Sequence, residues 1–135
     1  MSEEVSTLRL YLMRSLYLLT FLGVGYSVWP QIISPDKLWD PLTGVAFSFW
    51  AAYSALMGLG IRYPLKMLPL LILQLFYKSV WFLAVILPLR SAGQLDPAAT
   101  GMIRIFAIAV VLDLIVIPWP YVLANYVTKP GDRWR

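Results

Sequence analysis

Four long apolar runs, broken by short polar and proline-bearing stretches, make up most of the chain. The stretch 65–75 shows no alternation of apolar and polar positions. Membrane β-strands need alternating segments of about 10 residues, so helices are expected instead. A helix needs about 20 apolar residues to cross the hydrocarbon core of a bilayer. On that rule, spans are predicted at about 15–33, 42–61, 65–89 and 102–125, with a tail over 126–135.

The breaks between runs carry their own signals. Arg9 and Arg14 precede the first run, and Trp29-Pro30 closes it. The loop Pro35-Asp36-Lys37-Leu38-Trp39-Asp40-Pro41 leads into the second. Arg62-Tyr63-Pro64 opens the third, and Pro64 suits a first helical turn, where its missing N–H is not needed. The first run is too long for the apolar region of a signal peptide and lacks a small-x-small cleavage site, so it reads as a retained helix. The expected architecture is all-α: one membrane domain, a four-helix transmembrane bundle running up-down-up-down. No shared motif relates its two halves.

Composition strengthens this picture. Hydrophobic residues make up 60% of the 135 and charged residues 13%, against roughly 45–50% and about 25% in soluble domains. A soluble fold of this size has too little interior to hide that apolar surface, so lipid must cover it. The chain has no cysteine and no histidine. Disulfides, thiol chemistry and His-based acid–base catalysis are thereby excluded, as are the usual ligands of zinc, copper, haem and iron–sulfur centres. A serine nucleophile with a lysine base would be the remaining option, and no motif supports it. No catalytic residue, metal site or cofactor is predicted, and a non-enzymatic role is favoured.

The formal charge is +4. The basic residues sit at the ends of apolar runs rather than on a face interleaved with aromatics, which argues against nucleic acid as a partner. Arg9, Arg14, Arg62, Lys66, Lys129, Arg133 and Arg135 fall on one side of the expected bundle, and Lys37, Arg90 and Arg104 on the other. That excess places both termini in the cytoplasm. Trp29, Trp39, Tyr121 and Tyr126 lie where interfacial aromatics are expected.

Two ionisable residues fall within the apolar runs. Lys78 lies 12 residues beyond Lys66, and Asp113 lies 12 residues before Asn125. At ~1.5 Å rise per residue, both are expected ~18 Å deep, near the midplane. An isolated charge there costs roughly 2.5–3.5 kcal/mol, so the two are expected to face inward and toward each other. The pair would either fix the register of the third and fourth spans or form a ligand-anchoring or proton-relay site. Gln74 and Trp81 border Lys78 at i−4 and i+3, whereas Tyr77 is turned away by about 100°. Gln74 could equally act as polar glue between helices.

Other features modify the helices. Gly44, Ser48, Ala51, Ala55 and Gly58 form a small-residue stripe suited to close helix packing, within the bundle or across a homodimer. On the opposite side, Phe49, Trp50 and Tyr53 face lipid or roof a pocket. Pro118 and Pro120 remove the donors for the carbonyls of Leu114 and Val116, so a helix break is predicted one turn from Asp113. Those carbonyls must then find other partners. Arg104 points away from Asp113 and reads as an interfacial anchor.

The segment Arg62-Tyr63-Pro64-Leu65-Lys66-Met67-Leu68-Pro69, continuing through Gln74, Lys78 and Trp81, resembles that of uncharacterised small bacterial four-helix integral membrane proteins. Ile117-Pro118-Trp119-Pro120-Tyr121 and the closing Pro130-Gly131-Asp132-Arg133-Trp134-Arg135 share the resemblance. More loosely, the chain is similar to DoxX-like four-helix proteins, some of which are linked to quinone oxidation. The resemblance implies a bacterial inner-membrane location and carries over no site residue. The functional expectation is binding of a hydrophobic ligand, such as a lipid or quinone, or support of a larger membrane complex. Proton-coupled solute transport by an oligomer and a quinone-linked redox subunit are the alternatives.

Overall fold

A computed structural model describes residues 5–134, and among these it is all-helical. The helices are α1 (Thr7–Ile33), α2 (Pro41–Arg62), α3 (Leu68–Trp81), α4 (Leu87–Ser91), α5 (Pro97–Val116) and α6 (Trp119–Val122). A π-helical turn, Phe82–Ile86, joins α3 to α4, and a second, Leu123–Thr128, follows α6. Thr7–Ile33, Pro41–Arg62, Leu68–Ser91 and Pro97–Val116 are each long and apolar enough to cross a membrane. They form a four-helix bundle.

Local chemistry sets the starts of these helices. The Ser6 hydroxyl accepts from the Arg9 amide at 3.1 Å, so α1 begins eight residues before the expected 15. Arg9 and Arg14 therefore lie inside the helix rather than ahead of it. Asp40 accepts from the Thr43 amide at 3.0 Å, and Asp96 accepts from Ala99 at 2.8 Å. Pro41 and Pro97 follow these caps in the first turn, where a missing N–H costs nothing. The Asp96-Pro97 pair starts the fourth helix ahead of the expected 102. Pro64 does not open the third helix. It lies in a turn, and Pro69 takes the first-turn position of α3.

Prolines also end or widen helices. Pro88 cannot donate to the carbonyl of Ala84, and its ring would crowd that turn. The chain widens just before it, and the Leu87 amide bonds back to the Phe82 carbonyl. In the fourth span, α5 stops at Val116, and Ile117 turns to ψ 127. The fourth apolar run is thus two helical pieces, not one helix over 102–125.

Packing is uneven. α1 lies along α2 and α3 along α5, while α1 meets α5 and α2 meets α3 over shorter stretches. The core joins Met13, Leu16 and Tyr17 of α1 to Met57 of α2, Leu68 and Leu71 of α3, and Val116 and Ile117. All of these lie toward the start of α1 and the end of α5. Of the small-residue stripe, Ala51 is buried and Gly58 faces the Phe21 ring, while Ser48 and Ala55 remain exposed. Gly60 carries the tightest approach, with the Tyr17 ring filling the space a side chain would need.

Candidate functional site

The polar interior is built around Gln74, which is 1% exposed. Its position on α3, three and six residues after Leu71 and Leu68, puts it on the buried stripe of that helix. Its Nε2 donates to Asp113 Oδ1 at 2.6 Å, joining α3 to α5. Its Oε1 accepts from the Tyr53 hydroxyl of α2 and lies 3.3 Å from the Thr20 hydroxyl of α1. One side chain therefore ties all four spans together. An amide suits this task because it donates and accepts at once without a formal charge.

Asp113 is fully buried, and its second oxygen, Oδ2, has no hydrogen-bond partner. Lys78 is 5% exposed, one helical turn beyond Gln74 on the same face. Its ammonium does not reach the carboxylate. It rests 4.7 Å from the centroid of the Phe106 ring and 5.8 Å from that of Tyr77. The two opposite charges thus share the interior, but they are joined through Gln74 rather than by a direct ion pair. The physical reason is register: Asp113 stands level with Gln74, and Lys78 projects one turn further toward the start of α5.

The two rings beside that ammonium belong to a larger aromatic cluster. Phe49 stacks on Tyr53 at 5.9 Å, Tyr77 meets both edge-on, and Phe106 bridges Tyr77 and Trp81 at 6.1 and 4.9 Å. Tyr53 is buried within the core, not lipid-facing. Tyr77 is not turned away from Lys78, since the flexible lysine stem brings the ammonium back over the ring. Aromatic faces are favourable surroundings for a cation in a dry environment. Trp81 reaches Lys78's surroundings through Phe106.

The carbonyls freed by the proline break are all accounted for. Trp119 Nε1 donates to the Leu114 carbonyl at 2.9 Å. Arg9 Nη1 donates to the carbonyls of Ile115 and, at 3.2 Å, Val116. The first helix thereby caps the end of α5, two residues from Asp113. Two further bonds tie the same end of the molecule: Arg14 Nε to the Ile61 carbonyl at 2.9 Å, and the Tyr17 hydroxyl to the Pro64 carbonyl at 2.8 Å.

Thr20 and Phe106 belong to the site although the sequence does not single them out, and Tyr77 joins it from a position read as turned away. The usable signal was spacing. Thr20 follows Leu16 and Met13 at four and seven residues, and Phe106 precedes Asp113 by seven, so each shares a face with a buried residue. Among the described residues, no cluster of side chains could hold a metal ion. No family model matches the chain, and comparisons with curated proteins and with solved structures return no match.

Proposed function

We propose that this is a non-enzymatic, multi-pass protein of the bacterial inner membrane that binds a hydrophobic or amphipathic small molecule at Lys78 and Asp113. The chain runs up-down-up-down with both termini in the cytoplasm. Arg9, Arg14 and Arg62, which gather at one end through the contacts to α2 and α5, support that orientation. The observation that carries the binding reading is unspent hydrogen-bonding capacity. Lys78 has three donors and makes no side-chain hydrogen bond among the described residues, and Asp113 Oδ2 has no donor among them. A lipid or quinone with one polar group would satisfy either and leave its apolar body among Tyr77, Trp81 and Phe106. A homodimer or a larger membrane complex would complete the surroundings of so small a bundle.

Native mass spectrometry from mild detergent tests this directly. A retained small-molecule mass that disappears in Lys78→Met supports it. Wild-type protein that flies bare under conditions preserving other lipid adducts refutes it.

A second reading, proton-coupled solute transport, is favoured by the separation of Lys78 from Asp113. A lysine resting one turn from an unpartnered carboxylate oxygen can move to it and exchange a proton. Solute uptake into liposomes that ignores an imposed pH gradient would exclude this.

A further inference from the structure

The outer face of the α1–α2 pair, away from the polar interior, carries a second arrangement of charge and apolar surface. A groove of about 880 Å³ runs along α1 from Ser15 to Trp29. Leu18, Leu22 and Tyr26 wall it, and Gly25 and Ser54 form its floor. Small residues make the trough: Gly25 brings α1 close to Ser54, 3.7 Å from where a side chain would begin, and Gly23 opens onto free space, with nothing within 4 Å. From Ser15 to Trp29 the helix rises about 21 Å, more than the ~15 Å half-thickness of a hydrocarbon core. The groove is therefore long enough for an acyl chain crossing one leaflet.

Its Ser15 mouth adjoins a cluster of cations. Arg14 lies over the Tyr11 ring at 5.7 Å and bonds to Ile61 on α2, which brings it beside Arg62. Arg62 and Lys66 both lie over the Tyr63 ring, at 5.4 and 5.5 Å. None of the three forms an ion pair among the described residues. Three cations with no ion-pair partner among the described residues, at the end of an apolar trough, match one kind of molecule, with an anionic head and an extended hydrocarbon tail.

We propose that this face holds an anionic phospholipid, its phosphate at Arg14, Arg62 and Lys66 and one acyl chain in the α1–α2 groove. The phosphate supplies a counter-charge that no described residue provides there. The groove distinguishes this site from general attraction of a basic surface to an anionic leaflet, because it fixes where the chain lies. Lys78 and Asp113 take no part, so the site stands or falls independently of the interior.

The test is native mass spectrometry of delipidated full-length protein titrated with phosphatidylglycerol or phosphatidylcholine carrying identical acyl chains. Phosphatidylglycerol should bind at least about tenfold more tightly, a difference of about 1.4 kcal/mol. The double variant Arg62→Gln/Lys66→Gln, which leaves the Arg14 bond to Ile61 in place, should bring the two lipids to parity. Gly23→Trp fills the groove from an open position and should cut retention of phosphatidylglycerol while leaving the melting temperature within a few degrees. Equal binding of the two lipids by the wild type overturns the proposal. So does a phosphatidylglycerol preference that survives the double variant, or retention unaffected by Gly23→Trp. Full competition by inorganic phosphate would assign the cations to a free anion and overturn it as well.

Discussion

The two ends of the bundle are built by different rules. At the end holding the start of α1 and the close of α5, side chains interlock: Met13, Tyr17, Met57, Leu68 and Ile117 are each wholly buried. At the other end, no residue of α2 before Ala51 and none of α5 before Asp113 is buried. Rings rather than close helix contact occupy that region, with Trp39, Phe47 and Trp50 in one chain of contacts and Tyr77, Phe106 and Trp81 in another. Gln74 and Asp113 mark the border, and Lys78 reaches past it. One end is a fastening. The other can accommodate change, because few buried contacts oppose it.

The largest expected effect comes from the border itself. Gln74→Leu leaves Asp113 without its single donor and removes the acceptor for Tyr53. The loss should be about 2–4 kcal/mol, read from unfolding in detergent by sodium dodecyl sulfate titration. A cost below about 1 kcal/mol would mean that the two ends are not joined there. Next comes Gly60→Ala, which drives a methyl group into Tyr17, a ring pinned by burial and by its bond to Pro64. About 1–3 kcal/mol should be lost at this packed end. The matching change at the other end, Gly101→Ala, meets nothing within 4 Å and should be neutral or gain up to about 1 kcal/mol of helix propensity. Equal losses from the two glycine changes would erase the contrast.

Arg9→Ala tests the fastening from outside the core. It frees the carbonyls of Ile115 and Val116, and a loss of about 1–2 kcal/mol is expected. Amide exchange should rise around 113–117 before it rises at Gln74. The smallest effect lies at Asp40. The Thr43 amide and hydroxyl hold this exposed carboxylate below its ordinary range. Its contribution to α2 is therefore full above the usual carboxylate pKa and fades as pH falls through the lowered value. An NMR titration should show Thr43 losing its downfield amide shift in that window, and Asp40→Asn should keep the cap while removing the pH dependence.

Four apolar helices were legible in the sequence because length and apolarity are enough to recognise a span. Their limits were less so. Hydropathy treats Arg9 and Arg14 as an edge, yet Ser6 starts the helix ahead of them and both guanidiniums find carbonyls on other helices. Asp96-Pro97 and Pro118 moved the fourth span for equally local reasons. In the interior, the proximity of Lys78, Gln74 and Asp113 followed from helical spacing, while their connectivity did not. A few ångströms of register decide whether a lysine meets a carboxylate or a phenylalanine, and register is set by packing that no single helix encodes. Thr20 was hidden for a further reason. In a chain whose outward surface is as apolar as its interior, a face bearing one hydroxyl does not stand out.

The bond from Arg9 to Ile115 spans 106 residues of sequence. During synthesis the arginine emerges ahead of its acceptors by the length of three intervening spans. Until then that guanidinium must stay hydrated or borrow headgroups at the membrane surface. Insertion of the fourth span would release it, so the bundle closes on a residue that has waited through three others, and a chain truncated before the proline break would leave α1 unlatched.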